Sequence, residues 1–229
     1  ALYTSWLYLP WVIKPLWGPL VDLLSTKRRW IVGLQLLLGA AFAMVALTLP
    51  GPGFLQATLA VFWLMAFASA THDIAADGFY MLALPPRTQA AFVGVRSTCY
   101  RLAMLGGQGG LVYLAGWLAE RHGDGQGSVV AGWVGVFWLL AALFLAVALW
   151  DQWALPRPAS DQAAPRRAAS IANFFGDFTK VFAAFFRKGD IGRILAFLLL
   201  YRFAEAQLLK LVTPFLLDAR GAGGLGLKT

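Results

Sequence analysis

Six apolar runs, each about long enough to cross a lipid bilayer, constrain this chain more than any other feature. A membrane-spanning helix needs about 20 consecutive, predominantly apolar residues. The runs cover approximately residues 2–21, 31–49, 54–84, 91–118, 131–150 and 194–217. Only 13% of the 229 residues are charged, against about 25% in soluble domains. We therefore predict an all-α integral membrane protein with six transmembrane helices.

The basic residues are distributed unevenly over the loops between these spans. Eleven Lys and Arg residues occupy the loops on one side, at positions 27–29, 87, 157, 166, 167, 180, 187, 188 and 193. The loops on the other side hold Arg121 alone. Because an excess of Lys and Arg marks cytoplasmic loops, we place residues 27–29 and the segment 151–193 in the cytoplasm. The net charge of +8 is thus a topology signal, and we expect no nucleic acid partner.

The segment 151–193 divides into two parts. Residues 151–170 are rich in Pro, Ala and charge, which predicts a flexible linker. Over residues 171–188, apolar side chains recur at helical spacing, with Ser170 in position to cap the helix. We interpret this part as an amphipathic helix on the inner membrane surface. Packing against the underside of the bundle is the alternative.

Several charged residues lie inside the predicted spans, where charge is costly and suggests a function. They are Lys14, Asp73, Asp77, Arg96, Arg101, Arg202, Glu205 and Lys210. Asp73 and Asp77 lie four residues apart, on one face of a helix. The third and fourth spans form an antiparallel hairpin. At about 1.5 Å per residue, both acids match Arg96 and Arg101 approximately in depth, so we expect pairing across the hairpin.

The residues alone leave three interpretations of this charged group open. The first is a structural ion-pair latch between two helices. The second makes Asp73 or Asp77 a proton carrier and leaves Arg96 or Arg101 to bind an anionic substrate. In the third, these side chains line water near the cytoplasmic mouth without a defined role.

The fourth and sixth spans carry further candidates. Gly106 and Gly110 have the spacing of closely packed helices, and Gln108 between them is a candidate substrate contact. Arg202 and Glu205 lie three residues apart, which predicts an intrahelical pair. The alternative places Glu205 toward a central cavity as a candidate for proton coupling. Arg202 is a candidate for substrate binding.

Two other polar residues receive structural interpretations. Lys14 is near enough to the cytoplasmic end for its side chain to snorkel. His72 is expected to be a hydrogen-bonded packing residue, about 100° around the helix from Asp73. No second His or Cys lies at ligand spacing, so we predict no metal site.

The loop GPLVDLLSTKRRW resembles the signature between the second and third helices of the major facilitator superfamily. Its Gly18 and Asp22 match the Gly and the acid of that signature, and Lys27, Arg28 and Arg29 match its basic end. The resemblance implies that this loop is a conformational switch. The stretches YLPWVIKPLWGPLVD, SATHDIAADGFY, GVRSTCYRLAMLGGQG and LLYRFAEAQLLKLVTPFLLD together resemble the branch of AmpG-type muropeptide permeases, over essentially the whole chain.

This resemblance implies a fragment covering helices two to seven of a twelve-helix bundle. Residues 1–150 would hold five helices of the first half, 151–193 the central loop, and 194–229 the first helix of the second half. It further implies proton-driven uptake of a solute such as an anhydro-muropeptide by alternating access. The expected setting is a bacterial inner membrane, as a multi-pass monomer without a cofactor.

Two other functional classes remain. One is a transport-inactive assembly or binding factor with the same fold, for which bulky side chains plugging the central cavity would be the sign. The other is an intramembrane enzyme that uses HDIAAD as an acid/base or metal site. Two His, one Cys and no depth-matched nucleophile argue against this class, and we predict that the protein is not an enzyme.

Overall fold

The computed structural model describes most of the chain, and every regular element in the described part is helical. The described residues are 6–18, 21, 24–123, 125–162, 176, 179–180, 183–184, 186–217 and 223. The helices are α1 (Leu9–Ile13), α2 (Lys27–Thr48), α3 (Phe54–Ala83), α4 (Pro86–Leu105), α5 (Leu111–Arg121), α6 (Gln126–Ala154) and α7 (Ile191–Leu217). The 3₁₀ turns Trp6–Tyr8 and Lys14–Leu16 flank α1, and a π-helical turn, Gly106–Gly110, joins α4 to α5. The all-α class is confirmed.

Four helical segments among the described residues are long and apolar enough to cross a membrane. They are α2, α3, the continuous run from α4 through α5, and α6. The predicted span 194–217 falls within α7. The predicted span 2–21 is not one continuous α-helix in the described residues, because α1 is only five residues long. Pro10 and Pro15 interrupt the helical hydrogen bonding there.

Four helices, α2, α4, α6 and α7, begin three to five residues before the apolar runs that predicted them. α2 begins at Lys27, where the Thr26 hydroxyl accepts a hydrogen bond from the Arg29 N–H at 3.3 Å. α3 ends at Ala83 because Leu84 is extended, and Pro86 then opens α4 in its first turn. Polar residues at a membrane interface continue a helix at little cost. Helices predicted from apolar runs alone are therefore too short at such ends.

Small residues allow the helices to pack closely, but at positions other than those predicted. On α2, a Cβ added at Gly39 would lie 3.3 Å from the Ala141 carbonyl oxygen of α6. At Gly132 of α6, a Cβ would overlap the Ala115 carbonyl oxygen of α5. The close packing predicted at Gly106 and Gly110 is wrong for the described structure, where no atom lies within 4 Å of a Cβ added at either glycine. These glycines form the π-helical turn instead.

The chain separates into two compact units, Ala1–Ala169 and Ser170–Thr229. α1 to α6 belong to the first unit and α7 to the second. The predicted amphipathic helix over 171–188 lies mostly outside the described residues and stays a prediction.

Candidate functional site

The first charged pair of the site joins the segment around α1 to α3. The Lys14 ammonium lies 2.6 Å from the Asp73 carboxylate, and each side chain is 33% exposed. The Lys14 ammonium also lies 5.4 Å from the centre of the Trp11 ring. Close by, the Trp17 indole donates a hydrogen bond to the Thr71 hydroxyl at 3.2 Å. The partner of Asp73 is therefore Lys14, and the expected snorkelling of Lys14 is wrong because its charge is held by this pair.

The second pair crosses the hairpin between α3 and α4, as the depth count predicted. The Arg96 guanidinium pairs with the Asp77 carboxylate, and both side chains are about half exposed. The guanidinium lies 4.5 Å from the centre of the Tyr80 ring. The Tyr80 hydroxyl in turn donates to the Gln89 carbonyl at 2.6 Å. The ring and the carboxylate together fix the orientation of Arg96.

The remaining sequence candidates are not brought into this group. Arg101 and Gln108 lie on a stretch, residues 91–110, that is exposed throughout. Arg101 forms no ion pair with any residue whose side chain is described. The side chains of Arg202, Glu205 and Lys210 lie outside the described part of the chain. Their predicted roles stay predictions.

The loop that leads into α2 and carries Lys27, Arg28 and Arg29 is called the basic loop. It packs against two other parts of the first unit. The Lys27 stem lies against Gly78 of α3, where an added Cβ would lie 2.8 Å from Lys27 Cδ. Arg28 is 9% exposed, and its guanidinium donates to the carbonyls of Gln152 and Leu155. Gly18 has open space around it, whereas Asp22 lies outside the described residues.

Asp161 caps α2, a contact that the sequence did not predict. Its carboxylate accepts hydrogen bonds from the backbone N–H groups of Lys27 at 2.7 Å and Arg28 at 3.0 Å. The negative charge also lies at the positive end of the helix dipole. The basic loop and the start of the 151–193 segment thus lie at the same end of the bundle, in agreement with their common side in the charge count. We call this the basic end.

A cavity of about 390 Å³ lies at this cap. It is lined by Thr26, Arg28, Arg29, Gln152, Arg157, Pro158 and Asp161. Its lining carries several positive charges, with Asp161 the sole carboxylate among these residues. The cavity lies where the loop and the 151–162 segment meet, and the Asp161 cap joins the two.

A second cavity, of about 450 Å³, lies between α2, α3 and α6. Gln35 of α2 donates to the Asp151 carboxylate of α6 at 2.7 Å. Gln35 and His72 both line this cavity. The Oε1 of Gln35 and the Nε2 of His72 are buried without a hydrogen-bond partner in the described structure. The hydrogen-bonded packing role expected for His72 is therefore not fulfilled at Nε2.

The arrangement connects each carboxylate of α3 to a different element. Asp73 holds Lys14 from the α1 region, whereas Asp77 holds Arg96 from α4. Protonating one carboxylate would weaken one of these contacts and leave the other in place. Among the described residues, no three His, Cys, Asp or Glu side chains gather closely enough to hold a metal ion.

Comparison with known proteins adds the family context. The model of the BT1 family matches residues 1–206. The anhydromuropeptide permeases of Escherichia coli K12 and O157:H7 are each 31% identical over 224 residues. The alignment covers 93% of this chain and 40% of each permease, so the chain spans about two fifths of their length. No solved structure gives a significant match. The resemblance to the muropeptide permease branch is confirmed.

Proposed function

The chain belongs to the BT1 family, and on that premise we propose that the complete protein is a secondary active transporter. Its proposed substrate is an anhydro-muropeptide or a similar polar, anionic solute, in keeping with the name of the similar permeases. Membrane-length apolar helices make it a multi-pass membrane protein. We place it, as a monomer, in a bacterial inner membrane, and expect transport rather than an enzymatic reaction.

The observation that carries the mechanism is the pairing of both α3 carboxylates with cations from separate elements. In a proton-coupled cycle, Asp77 or Asp73 takes up a proton and releases its cation. Alternating access then follows because the released element is free to move relative to α3. Glu205 remains a further candidate for proton coupling.

Substrate contacts are proposed on the stretch that carries exposed polar groups. Arg101 has no described counterion, so its charge is available for an anionic group of the substrate. Gln108 lies two turns further along the same span, within the π-helical turn. Arg96 would become available to bind the substrate only when Asp77 is protonated. Arg202, in the helix assigned to the second half of the bundle, is a further proposed substrate contact. Gly18, Asp22 and Lys27–Arg29 are proposed as the switch loop.

Counterflow tests the substrate assignment without depending on the coupling ion. Proteoliposomes that contain the complete protein are loaded with unlabelled anhydro-muropeptide and diluted into labelled substrate. We expect transient accumulation of label that empty liposomes do not show. Equal labelling of both preparations, with protein shown to be folded, would contradict the proposed substrate.

A further inference from the structure

Two buried polar atoms without a hydrogen-bond partner among the described residues belong to residues that line the cavity between α2, α3 and α6. Gln35 is 6% exposed, and its amide nitrogen is already used by Asp151. Turning the amide over would place its oxygen against the carboxylate, so Oε1 remains the atom without a donor. His72 contributes Nε2, which is equally buried and equally unpaired among the described residues. Buried polar atoms without a partner are rare, and unseen water is a common explanation.

The cavity has the size and the chemistry to hold water. A water molecule occupies about 30 Å³ of the liquid and needs two to four polar partners inside a protein. The cavity volume of about 450 Å³ holds several such molecules. Gln35, His72 and Asp151 supply polar groups to the lining, and water that entered beside Gln35 Oε1 and His72 Nε2 would satisfy both atoms.

The cavity extends from the basic end into the span. Leu84, Leu155 and Pro156 line it at the end of the bundle, next to the basic loop. Gln35 lies eight residues into α2, or about 12 Å from Lys27 along the helix axis. His72 lies twelve residues before Leu84, or about 18 Å by the same measure. The lining thus connects the end of the bundle with an imidazole at membrane depth.

We propose that this cavity is a water-filled proton-binding site in which His72 accepts a proton from the aqueous phase at the basic end. The step moves one proton from a hydronium ion to the unprotonated ring nitrogen and leaves water and an imidazolium. The reverse step returns the proton to the same phase. This role rests on the proposed function: in a proton-coupled transporter, a proton given up by Asp73 or Asp77 passes through water to the His72 ring nitrogen, and the imidazolium then returns it to water on the cytoplasmic side.

The charged surroundings of His72 suit a reversible proton acceptor. Burial disfavours the charged imidazolium, and the carboxylates of Asp73 on its own helix and Asp151 on α6 act against that effect. Asp73 is neutralised by Lys14, whereas Asp151 is bonded to the uncharged Gln35. From α4, Arg96 reaches the cavity lining beside Tyr80, and it is paired with Asp77. Asp151 is therefore a carboxylate without a cationic partner among the described residues. Its negative charge would stabilise the imidazolium.

Nitrogen NMR tests proton binding directly and independently of transport. The complete protein with ¹⁵N-labelled histidine is reconstituted in lipid, and the His72 ring is assigned through sequential correlations with Thr71 and Asp73. We expect its ring nitrogens to titrate reversibly between pH of about 5 and 8, the range open to imidazoles. Ring signals unchanged across that range would overturn the proposal, whatever the transport assays give.

Transport by His72→Gln tests the release role. We expect loss of accumulation driven by a pH gradient, with counterflow retained, because exchange of substrate does not require proton release. His122→Gln is the matched control, since His122 is exposed at the end of α5 and its Nδ1, in the described structure, contacts the Leu118 carbonyl. Retained gradient-driven accumulation, or loss of counterflow together with accumulation, would overturn the release role. Absence of counterflow in the wild-type protein would instead contradict the proposed function, and the titration would still decide whether the site binds protons.

Discussion

At the scale of single residues, the two carboxylates of α3 are distinguished by their partners. Counting residues up the hairpin predicted that the two carboxylates pair with Arg96 and Arg101, and Asp77 does pair with Arg96. The count succeeds there because both helices are continuous from the turn at Pro85. The same count assigned Asp73 to an Arg and missed Lys14. Lys14 lies in a segment broken by two prolines, where depth does not increase regularly with residue number.

Asp77→Asn tests the coupling role of the second pair. Removing the charge releases Arg96 permanently, as protonation would do transiently. We expect loss of gradient-driven accumulation with counterflow retained, measured in proteoliposomes. The control is Asp190→Asn, which removes a carboxylate from an exposed pair with Arg193 and should change neither activity. Full gradient-driven accumulation by Asp77→Asn would exclude Asp77 as the proton carrier.

At the scale of elements, local and distant contacts fix the helix ends and the packing. Thr26 could be recognised as a cap because it immediately precedes the helix. Asp161 could not, since it caps α2 from 134 residues away along the chain. The Gln35–Asp151 bond, 116 residues apart, is equally invisible to local patterns. The glycines on α2 and α6 show that spacing alone does not tell which small residues meet another helix.

Asp161→Ala tests the distant cap. Two backbone N–H groups would lose their acceptor, and a lost cap costs about 0.5–2 kcal/mol. We expect faster amide hydrogen exchange at Lys27 and Arg28 while the centre of α2 stays protected. Gln162→Ala is the control, because the Gln162 side chain donates to the nearby Ala159 carbonyl and, among the described residues, forms no hydrogen bond with the start of α2. Equal exchange in both variants would show that Asp161 does not hold the helix end.

Gly132→Ala tests the close contact between α5 and α6. A methyl group there would overlap the Ala115 carbonyl, and overpacking costs about 1–3 kcal/mol. We expect a lower unfolding temperature in detergent. Gly106→Ala, which adds the same methyl group in open space, should leave that temperature near the wild-type value or raise it. A lower unfolding temperature for Gly106→Ala than for Gly132→Ala would contradict the packing described for these helices.

At the scale of the whole molecule, hydropathy and charge predicted the features that depend on composition. The spans are recognisable because each is a local run of apolar residues. The excess of Lys and Arg predicted which loops lie on the same side of the membrane. The features that sequence reasoning missed depend on which helices are neighbours. The cavity lined by Gln35, His72 and Asp151 is such a feature, since these three residues belong to three separate helices, α2, α3 and α6.

Cysteine labelling tests the orientation of the bundle. In a cysteine-free background of the complete protein, Ser160→Cys places a thiol at the basic end and His122→Cys places one at the other. The basic end should be cytoplasmic because of its Lys and Arg excess. A membrane-impermeant maleimide added to spheroplasts should therefore label His122→Cys at once and Ser160→Cys only after permeabilisation. Immediate labelling of Ser160→Cys, with His122→Cys labelled only after permeabilisation, would show that the predicted topology is wrong.

Gradient-driven accumulation of labelled anhydro-muropeptide by the wild-type protein tests the central claim most directly. Proteoliposomes containing the complete protein are given a pH gradient, acidic outside, with and without an ionophore that collapses it. The account predicts accumulation above the external concentration that disappears when the gradient is collapsed. Equilibration to the external concentration in both conditions, by protein that shows counterflow, would contradict proton coupling and with it the roles proposed for Asp77 and His72.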